Sequence, residues 1–262
     1  MTIHPSAIIE AGAEIGTGCR IGPFCHIGPE VRLGKGVQLH AHVVIAGDTV
    51  IGDETRIWPF ASVGSQPQDL KFAGEKTRLE IGARVMIRES VSINPGTAGG
   101  GGMTRIGDDC LFMLGSHVGH DCTVGNRVVV ANHASLAGHV SVGDGAIIGG
   151  LAGIHQFVRI GEGAIVGALS MVVADVIPYG SVIGERAHLA GLNLIGLKRG
   201  AVDRADIAGL RGAYKALFSG KGPLRERAED LFPEAENSYV EQMLGFILSD
   251  SERSFCTPKA KK

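Results

Sequence analysis

The sequence predicts a solenoid of six-residue repeats followed by a small helical domain. Three observations carry that expectation. First, a branched or bulky apolar residue recurs at every sixth position. The series runs from Ile3, Ile9, Ile15, Ile21 and Ile27 to Val63, resumes at Ile81, Ile87 and Ile93, and returns from Ile106 through Val118, Val124, Val130 and Leu136 to Val172. Helices repeat at 3.6 residues and strands at two, so neither explains a period of six; a fixed short repeat is the signature of a solenoid. Second, glycine follows the apolar residue at Gly16, Gly22, Gly28, Gly34, Gly52 and many later positions. Third, the spacing changes near Asp203 to steps of three and four at Ile207, Leu210, Tyr214 and Leu217, the period of an amphipathic helix.

The unit, an aliphatic residue, then Gly, two variable residues, a small residue and one more, resembles the hexapeptide repeat of left-handed parallel β-helices. That resemblance implies a mainly β chain in which three hexads make one triangular coil, so that stacked positions lie 18 apart in number. The apolar side chain then points into the prism, and the glycine helps the chain turn the corner. Stacked coils lie roughly 4.8 Å apart. Left-handedness is an exception to the usual hand of parallel crossovers and comes from the resemblance alone. Residues 1–190 are expected to form the prism and 191–262 the C-terminal α-helical domain.

Two segments interrupt the repeat, at about 65–79 and 94–104. The first reads SQPQDLKFAGEKTRL; Val63 and Ile81 lie 18 apart, so it is expected to span one full coil in register. The second reads NPGTAGGGGMT; Ile93 and Ile106 lie 13 apart, one more than two hexads. A stretch this rich in glycine is expected to leave the scaffold, and loops extruded from a rigid scaffold are where ligands are contacted. Beyond Asp203, DRADIAGLRGAYKALF, PLRERAEDLF and SYVEQMLGFIL each read as a helix, Pro223 being suited to a first helical position. The tail CTPKAKK is expected to fray.

The chain has 262 residues, 44% of them hydrophobic, with 40 glycines and 5% aromatics, a composition suited to narrow coils. Its net charge of −2 provides no electrostatic footprint for nucleic acid. The N-terminus MTIHPSAIIEAG has neither a basic nor an apolar signal region, and no run of 18 apolar residues suggests a membrane span. Cys19, Cys25, Cys110 and Cys122 each fall four residues after a repeat apolar residue, a slot otherwise held by Ala or Ser. They read as packing residues of a cytoplasmic protein.

Five of the ten histidines, His117, His120, His133, His139 and His155, fall between 117 and 155. Counting by 18 puts Gly138 and Gln156 in one vertical column with His120, and sets His139 over Asp121. None of these histidines occupies an apolar slot. A histidine one coil from a glycine suits acyl transfer: His120 can act as a general base on a hydroxyl, and Gly138 can offer its N–H to a developing oxyanion. Asp121 could orient the imidazole if residue 120 sits at a corner. Three histidines could instead bind zinc, as in hexapeptide-repeat carbonic anhydrases, but His139 is offset from His117 and His120, so no metal is expected.

The runs SHVGHDCTVGNR, LAGHVSV, IHQF, QDLKFAGE, IRESVSINPGT and GLNLIGLKRG together resemble the UDP-N-acetylglucosamine O-acyltransferases of lipid A synthesis over nearly the whole chain. The resemblance implies His120 as the general base toward the sugar 3-hydroxyl and Gly138 as the oxyanion donor. It implies substrate contacts from Gln68, Asp69, Lys71, His117, His139, His155, Gln156, Asn193 and Arg199. It further implies a 3-hydroxyacyl donor on acyl carrier protein, no cofactor, and a homotrimer with each groove between neighbouring prisms. Ala168 would stand at the blind end of the acyl groove as the chain-length ruler. Ile195 and Gly200 depart from an acidic residue and an arginine frequent in the family. The open alternatives are an N-acyltransferase or acetyltransferase of the same fold, or a zinc-dependent carbonic anhydrase-like protein.

Overall fold

A computed structural model describes residues 1–235 and 237–259. Among these residues the repeat builds a three-faced prism. The first face begins at Thr2–Ile3, the second at Ile8–Ile9 and the third at Glu14–Ile15. Each face is a ladder of short parallel strands. Ile3 pairs with Ile21, Ile9 with Ile27 and Ile15 with Leu33, so a step of 18 in number is one coil. The repeat apolar residues point inward: Ile27, Ile45, Val63, Ile93, Val118 and Leu136 on the second face are fully buried. Each contributes about 1.5–3 kcal/mol on burial, and the prism repeats that gain coil after coil.

The glycine after each apolar residue has a different role from the one expected. Gly16, Gly22, Gly28, Gly34 and Gly52 do not adopt a positive φ, although Gly64, where the first insertion leaves the prism, does, whereas the residue two places beyond that slot does so at Phe24, His42, Asp109, Asp121 and His139. The corner is therefore turned by a left-handed residue that is often not glycine. The preceding glycine is needed for close stacking: a Cβ at Gly52 would sit 2.5 Å from the carbonyl carbon of Gly82 in the next coil.

Both insertions leave the prism at the same corner, between the second and third faces. The first does not span a coil. Ile51 pairs with Ile81 and Val63 with Ile93, each pair 30 apart in number, so the chain advances one face while twelve residues loop outward. The second likewise advances one face. Ile81 pairs with Ile106 and Ile93 with Val118, each pair 25 apart, so seven residues are extra rather than one. A loop of two whole hexads, or of one hexad and a residue, leaves the same phase behind it as a loop of none or of one. A count along the chain therefore hides the true excursion.

The four repeat cysteines pack as expected. Cys25 donates to the His40 carbonyl at 2.8 Å and Cys122 to that of Ala137 at 3.1 Å. Burial pushes the Cys122 thiol up to about 12.

The first face continues past Val172 through Gly180–Ile183, which is capped by an antiparallel strand, His188–Leu192. Four helices follow: α1 (Leu194–Arg199), α2 (Arg204–Ser219), α3 (Leu224–Leu231) and α4 (Ser238–Leu248). Pro223 stands one residue before α3 in extended conformation, not as its first residue. Helices α2, α3 and α4 bury Leu210, Leu217, Ala228, Met243 and Ile247 among themselves. The tail does not fray at Cys256: its N–H donates to the Asp175 carbonyl at 2.8 Å, and Leu189 N–H reaches Thr257 O. Residues 260–262 of the tail lie outside the described residues.

Candidate active site

A cleft of about 450 Å³ opens on the second face beside the corner that carries both insertions. Its floor consists of outward positions of the ladder: His117 pairs with Ser135, Ser135 with Gly153 and Gly153 with Met171. Its wall is the corner, with Gly119, His120 and Gly138, and its rim includes Gln68 of the first insertion, Asn94 and His155. The cleft thus gathers Gln68, His117, His120, Gly138 and His155 from stretches far apart in sequence.

His120 sits at a turn, the corner position that lets the adjacent Asp121 side chain reach its imidazole. Asp121 follows with φ +59°, which swings its carboxylate back under the ring. His120 Nδ1 lies 2.7 Å from Asp121 Oδ2. A carboxylate only accepts, so the shared proton belongs to Nδ1 and the Nε2 lone pair is free. That atom faces Gly138: a Cβ there would lie 2.6 Å from Nε2. The Gly138 carbonyl accepts from Phe157 N–H at 3.2 Å, while its own N–H donates to no acceptor among the described residues. Candidate base and candidate oxyanion donor therefore border the same space.

The second insertion secures the pair. Thr97 N–H donates to Asp121 Oδ1 at 2.8 Å and the Thr97 hydroxyl to Oδ2 at 2.6 Å. The Asp121 N–H reaches the Thr104 hydroxyl at 2.8 Å. Gly100 lies so close to the carboxylate that a Cβ would approach its carbon to 2.0 Å. A buried carboxylate with all these donors is compensated for the loss of water. Thr97 escapes sequence reasoning because its partner is 24 residues away across part of an insertion, and Thr104, 17 residues from Asp121, because it stands where the broken repeat resumes, on the strand Met103–Ile106.

His139 stands edge-on to His120 with ring centroids 5.0 Å apart, and Phe157 stacks on its other side at 4.3 Å. Burial holds the His139 imidazole below its ordinary value, the nearby Asp121 charge working the other way. His117 accepts or donates at Nδ1 with the Ser92 hydroxyl at 2.7 Å, and burial lowers its pKa, with a smaller lowering from His120. Both histidines thus favour the neutral form in the folded chain. Because the unfolded chain binds more protons, their stabilising contribution is complete above about pH 6.5 and is lost as pH falls toward the folded values. Thermal unfolding between about pH 7.5 and 5.5 should show Tm falling with acidification, and His117→Gln should flatten that slope; an unchanged slope would count against the assignment.

His120, Asp121 and His139 offer donor atoms within 4.8 Å of one another, a different trio from the three histidines weighed for zinc. Asp121 Oδ2, however, already accepts from both His120 and Thr97. This donor set is built as a hydrogen-bonded relay.

The remaining expected residues lie around or away from the cleft. Asp69 accepts from Lys71 N–H at 3.0 Å in the first insertion, and its charge reaches His139; Lys71 and Gln156 are exposed. Asn193 caps α1: its Oδ1 accepts from Gly196 N–H, and its Nδ2 donates to Gly163 O at the corner between the third and first faces. Arg199 and Ile195 are exposed on α1, which Gly200 terminates. Ala168 is exposed at the corner between the first and second faces. None of Asn193, Arg199 and Ala168 lines the cleft of its own chain.

The family described as Udp N-acetylglucosamine O-acyltransferase, domain 2, matches residues 175–256, and the bacterial transferase hexapeptide family matches 30–65 and 103–138. A Paracoccus denitrificans protein named acyl-[acyl-carrier-protein]–UDP-N-acetylglucosamine O-acyltransferase is 61% identical over 203 residues, 77% of each chain. A Caulobacter vibrioides protein of the same name is 48% identical over 260 residues, 99% of each. A crystal structure of UDP-N-acetylglucosamine acyltransferase superposes with a TM-score of 0.96 at 44% identity, covering 99% of this chain and all of that one. The prism accordingly has the left hand expected of hexapeptide repeats. With identity of this degree over both the prism and the helical end, the chain belongs to the UDP-N-acetylglucosamine O-acyltransferase family.

Proposed function

We propose that the chain transfers a 3-hydroxyacyl group from acyl carrier protein to the 3-hydroxyl of UDP-N-acetylglucosamine, the first step of lipid A synthesis. The observation that carries the mechanism is the placement of His120: Nδ1 is bound to Asp121 and Nε2 faces Gly138. Nε2 takes the proton of the sugar hydroxyl as its oxygen attacks the thioester carbonyl. The Gly138 N–H receives the negative charge on the carbonyl oxygen. The intermediate collapses with cleavage of the carbon–sulfur bond, and the departing thiolate recovers the proton from His120. The thioester is already activated, so this route calls on no cofactor.

Gln68, His117 and His155, which line the cleft, are assigned with His139 and Gln156 to sugar and donor binding. Asp69 and Lys71, on the first insertion, are assigned to the nucleotide sugar. Arg199 suits phosphate by its forked donors, and Asn193, its amide spent on the cap, acts by aiming α1. Because Arg199 and Ala168 stand off the cleft of their own chain, this reading needs a second copy beside the first, as a homotrimer with grooves between prisms would provide. In this reading the prism, 1–190, is the scaffold of the groove, and 191–262 receives the carrier protein. Five free, buried cysteines fit a reducing cytoplasm, and among the described residues no helix is long and apolar enough to cross a membrane.

The test is mass spectrometry of products formed from UDP-N-acetylglucosamine and a mixture of acyl carrier donors of graded length. The expected product is an ester at the 3-position, with a chain at or slightly below the long end of the series. Alanine at 168 adds one methyl to what a glycine would leave open. Ala168→Gly should move the preference toward longer chains and Ala168→Met toward shorter ones. A wild-type preference for very short chains, or an amide product, would overturn the assignment.

A further inference from the structure

The C-terminal segment returns to the prism after α4 and is fastened there by one buried residue. Asp175 is fully buried; its side chain accepts from Arg159 Nε and from the Ser251 hydroxyl, both at 2.6 Å. Its backbone N–H donates to Ser254 O at 2.7 Å and its carbonyl accepts from Cys256 N–H. Arg159 extends the clamp to the Ser249 hydroxyl and stacks over Phe246 at 4.4 Å. The fold thereby presents Arg253 at the cleft rim, where its Nη2 lies 2.9 Å from His155 Nδ1.

Two contacts compete for that nitrogen. The Gln156 carbonyl lies 3.2 Å away and can only accept, so it calls for a proton on Nδ1. The Arg253 guanidinium can only donate, so it calls for a bare Nδ1. Guanidinium stays protonated in proteins and a charge-assisted contact is the stronger one. Arg253 therefore wins, and the ring proton resides on Nε2.

We propose that Arg253 is a positioning residue of the acyltransferase: it sets the tautomer and orientation of His155, so that Nε2–H is the donor offered to the groove. This rests on the acyl-transfer reading above for its kinetic consequence, but the tautomer itself does not. The contact also gives the C-terminal segment a part in the site, since Asp175 anchors the backbone that carries Arg253.

The experiment uses the full chain labelled with ¹⁵N-histidine, with the His155 signals assigned by their loss in His155→Gln. In the wild type, Nε2 should carry the proton and Nδ1 should not. Arg253→Ala should move the proton toward Nδ1, now free to donate to Gln156 O, while Arg253→Lys, which retains a donor, should restore the wild-type pattern. In steady-state assays Arg253→Ala should raise the KM for the acyl donor about five- to tenfold with kcat within twofold, the loss of roughly one hydrogen bond. The double variant Arg253→Ala/His155→Gln should be no worse than His155→Gln alone. A tautomer unchanged by Arg253→Ala, or fully additive losses in the double variant, would overturn the proposal. If the wild type transfers no acyl group, the functional reading falls, and the ¹⁵N spectra still decide the role of Arg253.

Discussion

Replacing His120 with alanine should lower kcat by roughly 10²- to 10⁴-fold and leave the KM for either substrate within a few-fold. His120 is the one histidine at the cleft whose Nδ1 is bound to a buried carboxylate, which leaves Nε2 as a base facing the Gly138 amide. Without it the sugar hydroxyl must be deprotonated by water, while the Gly138 N–H and the binding residues remain in place. The loss should therefore fall on chemistry and leave a residual rate. Neighbouring histidines should not take over. His139 is edge-on to His120 and stacked against Phe157, and His117 is tied to Ser92. Steady-state kinetics with the purified variant settle the matter, and a kcat within threefold of wild type would remove His120 from the mechanism.

Asp121→Asn should be almost as damaging, although it changes neither size nor shape. Thr97 N–H must still find an acceptor, so the side-chain carbonyl stays on the Oδ1 side and the new amide group faces His120 and the Thr97 hydroxyl. The amide donates to Nδ1, the ring proton moves to Nε2, and the base is lost. A wrong-tautomer substitution of this kind lowers kcat about 10⁴-fold in serine proteases; a loss of about 10²- to 10⁴-fold is expected here. Two readouts separate this from unfolding. The ¹⁵N spectrum of His120 should show the proton transferred from Nδ1 to Nε2, and Tm should stay within several degrees of wild type. An active variant with an altered tautomer would break the link between Asp121 and the base.

Much of this site is legible in the chain because the scaffold is periodic. Where the repeat is unbroken, as from Ile106 to Val172, a step of 18 is a step of one coil, so the stacking of Gly138 on His120 and of His139 on Asp121 follows from numbers alone. Histidines outside both inward slots, the apolar and the small one, face outward, and their clustering marks the candidate functional face. Where the repeat breaks, counting fails. Whole hexads can be looped out without disturbing the phase, so the twenty-four-residue reach from Thr97 to Asp121 has no signature in the sequence. Glycine misleads in a different way: its frequency after each apolar residue reflects the packing of one coil on the next, and the left-handed turn two places on is taken by many residue types, among them Phe24, His42, Arg127 and Asp121 as well as Gly18 and Gly36.

The amino-acid sequence by itself determined the six-residue period and the inward side of each repeat apolar residue; read with the resemblance to hexapeptide repeats, which implies three hexads per coil, it also determined the column holding His120 and Gly138. These are consequences of local periodicity, in which every coil meets only its neighbours. Tertiary structure alone decided which donors hold Asp121, which proton position His120 adopts, and that residues 251–256 return to bring Arg253 against His155. Such contacts join segments separated by up to 98 residues. They depend on where loops and a chain end come to rest, and no short-range pattern encodes that.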